Sequence, residues 1–84
     1  MFSYLFTFRS LTAAQSAGSI LHRAAVACQV QRAPAQASAQ GCGYAVRVPG
    51  TEGRRAASVL RMWQRPFGKS YRLSDGGRLE ETAL

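Results

Sequence analysis

Residues 1–33 run MFSYLFTFRSLTAAQSAGSILHRAAVACQVQRA, and the reading of this stretch decides how much of the chain is left to build a core. It contains no Asp or Glu, carries Arg9, Arg23 and Arg32, and is rich in Ser and Thr. Amphipathic, Arg- and Ser-rich, acid-poor segments have the composition of mitochondrial presequences. From Leu11 onward the periodicity agrees. Leu11, Ala14, Gly18, Leu21 and Ala25 share one helical face, with Thr12, Gln15, Ser16, Ser19, His22 and Arg23 opposite. Ser10 is placed to cap that helix. Arg9 sits amid Phe2, Leu5 and Phe6 rather than across from them, which weakens the amphipathic pattern before residue 10. Residues 1–33 are therefore expected to be a targeting segment, with Arg9, Arg23 and Arg32 as its charges.

Secretion and membrane spanning are not expected. Ala25-Val26-Ala27 has the small residues of a signal cleavage site, but Gln15, Ser16, Ser19, His22 and Arg23 interrupt the apolar run it needs. Nothing approaches the stretch of about eighteen apolar residues that crosses a bilayer.

Beyond this segment, CQVQRAPAQASAQGC at 28–42 is low in complexity and reads as linker, so 34–50 is assigned to a linker with one short strand. That strand is Gly43–Val48, where Tyr44, Val46 and Val48 alternate with Ala45 and Arg47 before the turn at Pro49-Gly50. Its pairing partner is not evident. The best-defined element lies within 51–72. Thr51 can cap a helix with Glu52 in its first turn, and Pro66 must end it. Ala56, Val59, Leu60, Met62 and Trp63 form its apolar face, opposite Ser58, Arg61, Gln64 and Arg65. A helix of about fourteen residues is marginal alone and needs that face covered. Asp75-Gly76 is a two-residue turn between Tyr71–Ser74 and Gly77–Glu80, giving a weak hairpin near 70–80 and an acidic tail over 73–84.

Composition then sets the expected fold class. Leu, Ile, Val and Phe supply 17 of 84 residues, while 14 of the apolar residues are Ala. So few large side chains on a chain of net charge +7 place it at the edge of the disordered class. The expectation is a mostly disordered basic polypeptide with short helices at 11–26 and 52–65 and no globular domain.

Ten of the eleven cations are Arg, and 52–72 carries six cationic side chains against one acid. Such a chain is drawn to polyanions. Arg54, Arg55, Arg61, Arg65, Lys69 and Arg72 are the candidates for nucleic acid or an anionic membrane, and Val59, Leu60, Met62 and Trp63 for a membrane or partner groove. A GC-rich reading frame also enriches Arg, Ala and Gly without selection for binding. Thr82-Ala83-Leu84 resembles a ligand for PDZ domains, a weak pattern in so short a tail.

The enzymatic motifs fail. Gly68-Lys69-Ser70 ends like a phosphate-binding loop, but Trp63 stands where the pattern needs Gly. His22, Asp75 and a serine have nothing to hold them in register, and Glu80 and Glu81 are chain neighbours. Cys28 and Cys42 are too few for a structural zinc site; one disulfide is conceivable, free thiols are expected. No enzyme, cofactor, metal or small-molecule substrate is expected. The favoured function is a small mitochondrial protein whose basic helix binds a membrane or a protein. A nucleic-acid-associated peptide and a frame without selected function are the alternatives.

Overall fold

Phe2, Tyr4, Phe6 and Phe8 alternate with Ser3, Leu5 and Thr7, a period of two that belongs to a strand. In the computed structural model, which describes residues 1–38, 41 and 43–84, Ser3–Phe8 form strand β1. Helix α1 follows at Leu11–Arg23, then β2 at Gln29–Arg32, the short helix α2 at Ala35–Ser38 and β3 at Tyr44–Pro49. A 3₁₀ turn at Gly50–Glu52 leads into α3 at Gly53–Met62, followed by β4 at Ser70–Leu73 and β5 at Leu79–Thr82. The strands form one antiparallel sheet in the order β2-β3-β1-β4-β5. β3 is inserted between β1 and β2, and β1 between β3 and β4. These are two interlocked split βαβ units, the ferredoxin-like arrangement, with β5 added at one edge.

The expectation of a mostly disordered chain is overturned. The radius of gyration is 11.2 Å, against about 12 Å for a folded chain of this length and about 29 Å for an unfolded one. Composition misled because it discounted alanine. Ala14, Ala17, Ala56 and Ala57 are buried where α1 and α3 lie on the sheet, and their small size lets the helices approach closely. The few large groups, Phe6, Phe8, Leu21, Val46, Val48 and Leu60, then fill one contiguous core. On the other face Leu5, Ala45 and Tyr71 are covered by Ala37 of α2. The segment read as linker thus closes the second face and supplies β3. The strand at 44–49 finds its partners in β1 and β2, both drawn from stretches assigned to targeting or linker.

The helix ends also depart from expectation. Ser10 does cap α1, its hydroxyl accepting from Ala13 N–H at 3.1 Å. Thr51, however, lies in the 3₁₀ turn, and α3 starts at Gly53 with no side-chain cap. No Cβ fits at Gly53, since one would stand 2.1 Å from the Tyr4 ring. Both long helices stop early on a residue with positive φ, Ala25 at 62° and Gln64 at 55°. Each closes a Schellman turn: Val26 N–H donates to Leu21 carbonyl at 2.9 Å and Arg65 N–H to Leu60 carbonyl at 2.8 Å. Glycine normally marks such positions, and neither Ala25 nor Gln64 signals a stop by residue type, Pro66 lying two residues beyond the second.

Three substitutions test this architecture in thermal or urea unfolding. Wild type unfolds in one cooperative transition. Phe6→Ala, at the centre of the core, costs about 3–5 kcal/mol and leaves little folded protein. Gly53→Ala destabilises by about 1–3 kcal/mol through displacement of Tyr4. Ala25→Gly relieves the left-handed alanine at an exposed site and raises stability by about 0.5–1 kcal/mol.

Candidate functional site

Thiols are the nucleophiles to examine first, because the fold has spent the other candidates. The backbone of Gly68 and Lys69 serves the sheet: Gly68 N–H donates to Thr7 carbonyl at 2.8 Å, and Lys69 N–H to the Thr7 hydroxyl at 2.8 Å. Ser70 lies buried in β4. Among the described residues no three His, Cys, Asp or Glu converge as metal ligands, and no helix is long and apolar enough to cross a membrane.

Cys28 immediately precedes β2, beneath α1. It is a free, half-buried thiol whose Sγ donates to Gly18 carbonyl at 3.4 Å. Gly18 makes room for it; a Cβ there would lie 3.1 Å from Val30 Cγ2 and 3.8 Å from the Cys28 sulfur. Burial pushes the Cys28 pKa up, because desolvation penalises the thiolate. A cavity of about 370 Å³ opens beside it, lined by Phe2, Ser3, Arg47, Val48 and Pro49 among others.

Cys42 lies outside the described residues, and with it the expectation concerning a Cys28–Cys42 disulfide. Its neighbours are informative. Gly41 has φ of +84°, Gly43 follows, and neither would bring a Cβ within 4 Å of anything. Gly43 carbonyl accepts from Ala33 N–H at 3.0 Å, just past the end of β2. Cys28 precedes the opposite end, where Gln29 pairs with Arg47. Cys28 and Gly43 therefore flank β2 at opposite ends.

The residues expected to bind a membrane, a partner or polyanions do not form one face. Leu60 is fully buried and Val59 packs against the core, whereas Met62 and Trp63 are exposed, 75% and 51% respectively. Several cations are engaged within the chain. Arg55 lies 3.5 Å from Glu52 and donates to Ala24 carbonyl at 2.7 Å. Arg65 donates to Ser16 Oγ at 3.1 Å, Lys69 pairs with Glu81 at 3.1 Å, and Arg72 stacks over Phe2. Arg61 lies over the Phe67 ring and donates to Leu84 carbonyl. Arg54 is exposed at the first turn of α3. Of the charges assigned to targeting, Arg9 is exposed between β1 and α1, Arg23 ends α1, and Arg32 ends β2 over the Tyr44 ring. In the C-terminal stretch, Thr82 belongs to β5 and Leu84 packs against the core.

The fold and its thiols define a class: a small split-βαβ domain with one sequestered cysteine and a second that stands between two glycines in the sequence. The chain belongs to the family described as "Putative Se/S carrier protein-like", whose model matches residues 3–71. No curated protein and no solved structure matches it. That span covers β1 through the start of β4 and includes both cysteines. Sequence reading counted the thiols but gave them no role. The available signal is Gly41-Cys42-Gly43, a cysteine between two residues without side chains.

The raised Cys28 pKa predicts its reactivity. Only the thiolate is nucleophilic, so Cys28 stays protonated and slow at neutral pH, and its rate climbs as pH rises through the elevated pKa. Iodoacetamide labelling of Cys42→Ser across pH 6–10, read by mass spectrometry, should give an apparent pKa above that of free cysteine. Fast labelling at pH 7 contradicts this account.

Proposed function

We propose that the chain is a small carrier that holds a sulfur or selenium atom on the thiol of Cys42 and passes it to another protein. The observation that carries this reading is the match of the carrier-like family model over residues 3–71. The thiol inventory supports it and selects the residue. The chain has two cysteines, and desolvation keeps Cys28 as the weaker nucleophile. Cys42 stands between glycines, in a chain of net charge +7.

The chemistry needs no base, metal or cofactor from this chain. The Cys42 thiolate attacks the outer sulfur of a donor persulfide, R–S–SH. The donor S–S bond breaks, R–S⁻ leaves, and Cys42 becomes Cys–S–SH. An acceptor thiolate then takes the outer sulfur by the same displacement and regenerates the Cys42 thiolate. Selenium in place of the outer sulfur follows the same course. Each turn transfers one atom stoichiometrically, which accords with a chain expected to lack an active site. A mitochondrial destination is compatible with this reading only if residues 1–33 stay on the imported chain, because β1, α1 and β2 are built from them.

The test is loading by glutathione persulfide, followed by intact-mass and peptide mass spectrometry. Wild type and Cys28→Ser should gain one sulfur atom at residue 42, and Cys42→Ser should gain none. Modification confined to Cys28, or none in wild type, defeats the proposal.

A further inference from the structure

A carrier must meet the proteins that load and unload it, and one end of this fold has the surface for that. β1 ends at Phe8 opposite Tyr44, the first residue of β3. Gly43, which follows Cys42 in sequence, therefore lies at the end of the sheet where α1 begins. Helix α3 finishes at the same end. Arg65 reaches Ser16, and with Pro66 it joins Phe8, Ser10 and Ala13 around a depression of about 450 Å³.

The surface chemistry of this end is distinct. Apart from Met1, the exposed large apolar side chains are Leu11, Met62 and Trp63 among the described residues. All three belong here, Leu11 opening α1 and the other two closing α3. Arg9, Arg61 and Arg65 are exposed at the same helix ends, Arg61 donating to Leu84 carbonyl. Three of the four acidic side chains lie elsewhere, and Glu81, at this end of β5, is paired with Lys69 at 3.1 Å. Glu52 precedes α3 at its far end and Asp75 lies in the turn beyond β4, while Glu80 sits on β5, 3.3 Å from Arg78. We propose that this end is a docking surface for a partner protein presenting carboxylates around an apolar anchor. The proposal rests on the carrier reading, to which it adds the kind of partner.

A protein fits better than the other polyanions. The apolar face of α3 is committed to the core through Ala56, Ala57 and Leu60, so too little apolar surface is left to insert into a bilayer. Among the described residues at this end, Trp63 is the one exposed aromatic ring, whereas gripping a single strand of RNA calls for a row of stacking platforms. Exposed apolar side chains and arginines at one end of the fold match the composition of a protein interface, where aromatic, Met and Arg side chains are enriched.

The full chain is tested with a fluorescein-labelled amphipathic peptide of Glu and Leu, read by anisotropy. Phosphatidylglycerol/phosphatidylcholine vesicles and oligouridine are separate arms, read by Trp63 fluorescence, and circular dichroism checks that each variant folds. The peptide should bind, blue-shift Trp63 and lose affinity with salt. Trp63→Ala should weaken it about tenfold and Arg9→Gln about threefold. Arg78→Gln, which removes the same charge outside this end, should leave binding unchanged. Tighter binding to vesicles or oligouridine, or equal effects of Arg9→Gln and Arg78→Gln, overturns the proposal. Loading by glutathione persulfide needs no docking, so Trp63→Ala should load Cys42 as wild type does. Loss of peptide binding with loading intact defeats the docking surface alone. Binding without loading defeats the carrier reading alone.

Discussion

Strand β1 is hydrogen-bonded along both edges and packed on both faces, and every other element is placed by reference to it. Its edges pair with β3 and β4. Phe6 and Phe8 face the two long helices, while Leu5 faces α2 and Tyr71. A six-residue segment so enclosed converts nearly all its side chains into buried area, which is how a chain with few large apolar residues still forms a core. The buried Thr7 hydroxyl is satisfied by accepting from Lys69 N–H, and this contact fixes where β4 begins.

The alanines follow from the same constraint. A small sheet offers little area, so helices must lie close to it for dispersion contacts to count, and Ala and Gly on the inner faces permit that. Gly18 brings α1 onto β2, and Gly53 brings the start of α3 against Tyr4. That close approach has a chemical consequence. The space between α1 and β2 is where the Cys28 thiol is held, and the desolvation that raises its pKa comes with the packing. The two cysteines thus differ in kind: one is part of the helix–sheet contact, and the other lies between glycines in the segment joining α2 to β3.

Function was less legible than chemistry. The candidate acids, bases and nucleophiles are few and scattered in the sequence, and residue types alone point to no particular reaction. A carrier of single atoms requires only one accessible thiol, and a lone cysteine carries little signal among 84 residues. The family match over residues 3–71 is what the proposed carrier role rests on, since the spacing of residues does not indicate it.

Local patterns determined the local elements. Ser10 as a cap, the α1 stripe and the alternation of Tyr44, Val46 and Val48 depend on neighbours within a few residues, and those elements stand there. By contrast, α1 ends at Arg23, and the turn at Asp75-Gly76 is longer than two residues, extending through Gly77 so that Ser74 N–H donates to Arg78 carbonyl. Charge and the scarcity of acids before Glu52 are likewise properties of the sequence alone. Tertiary structure decided what the patterns were for. Phe2, Tyr4, Phe6 and Phe8 read as a greasy presequence start until β3 and β4 lie on either side, because strand pairing joins residues some forty and sixty positions away in the sequence. Leu60 and Met62 share an apolar stripe in sequence, yet one is buried and the other exposed, since only the sheet defines which part of the stripe is covered. Burial is a property of the assembled fold, so the choice between a disordered chain and a folded domain lay in contacts that no local window contains.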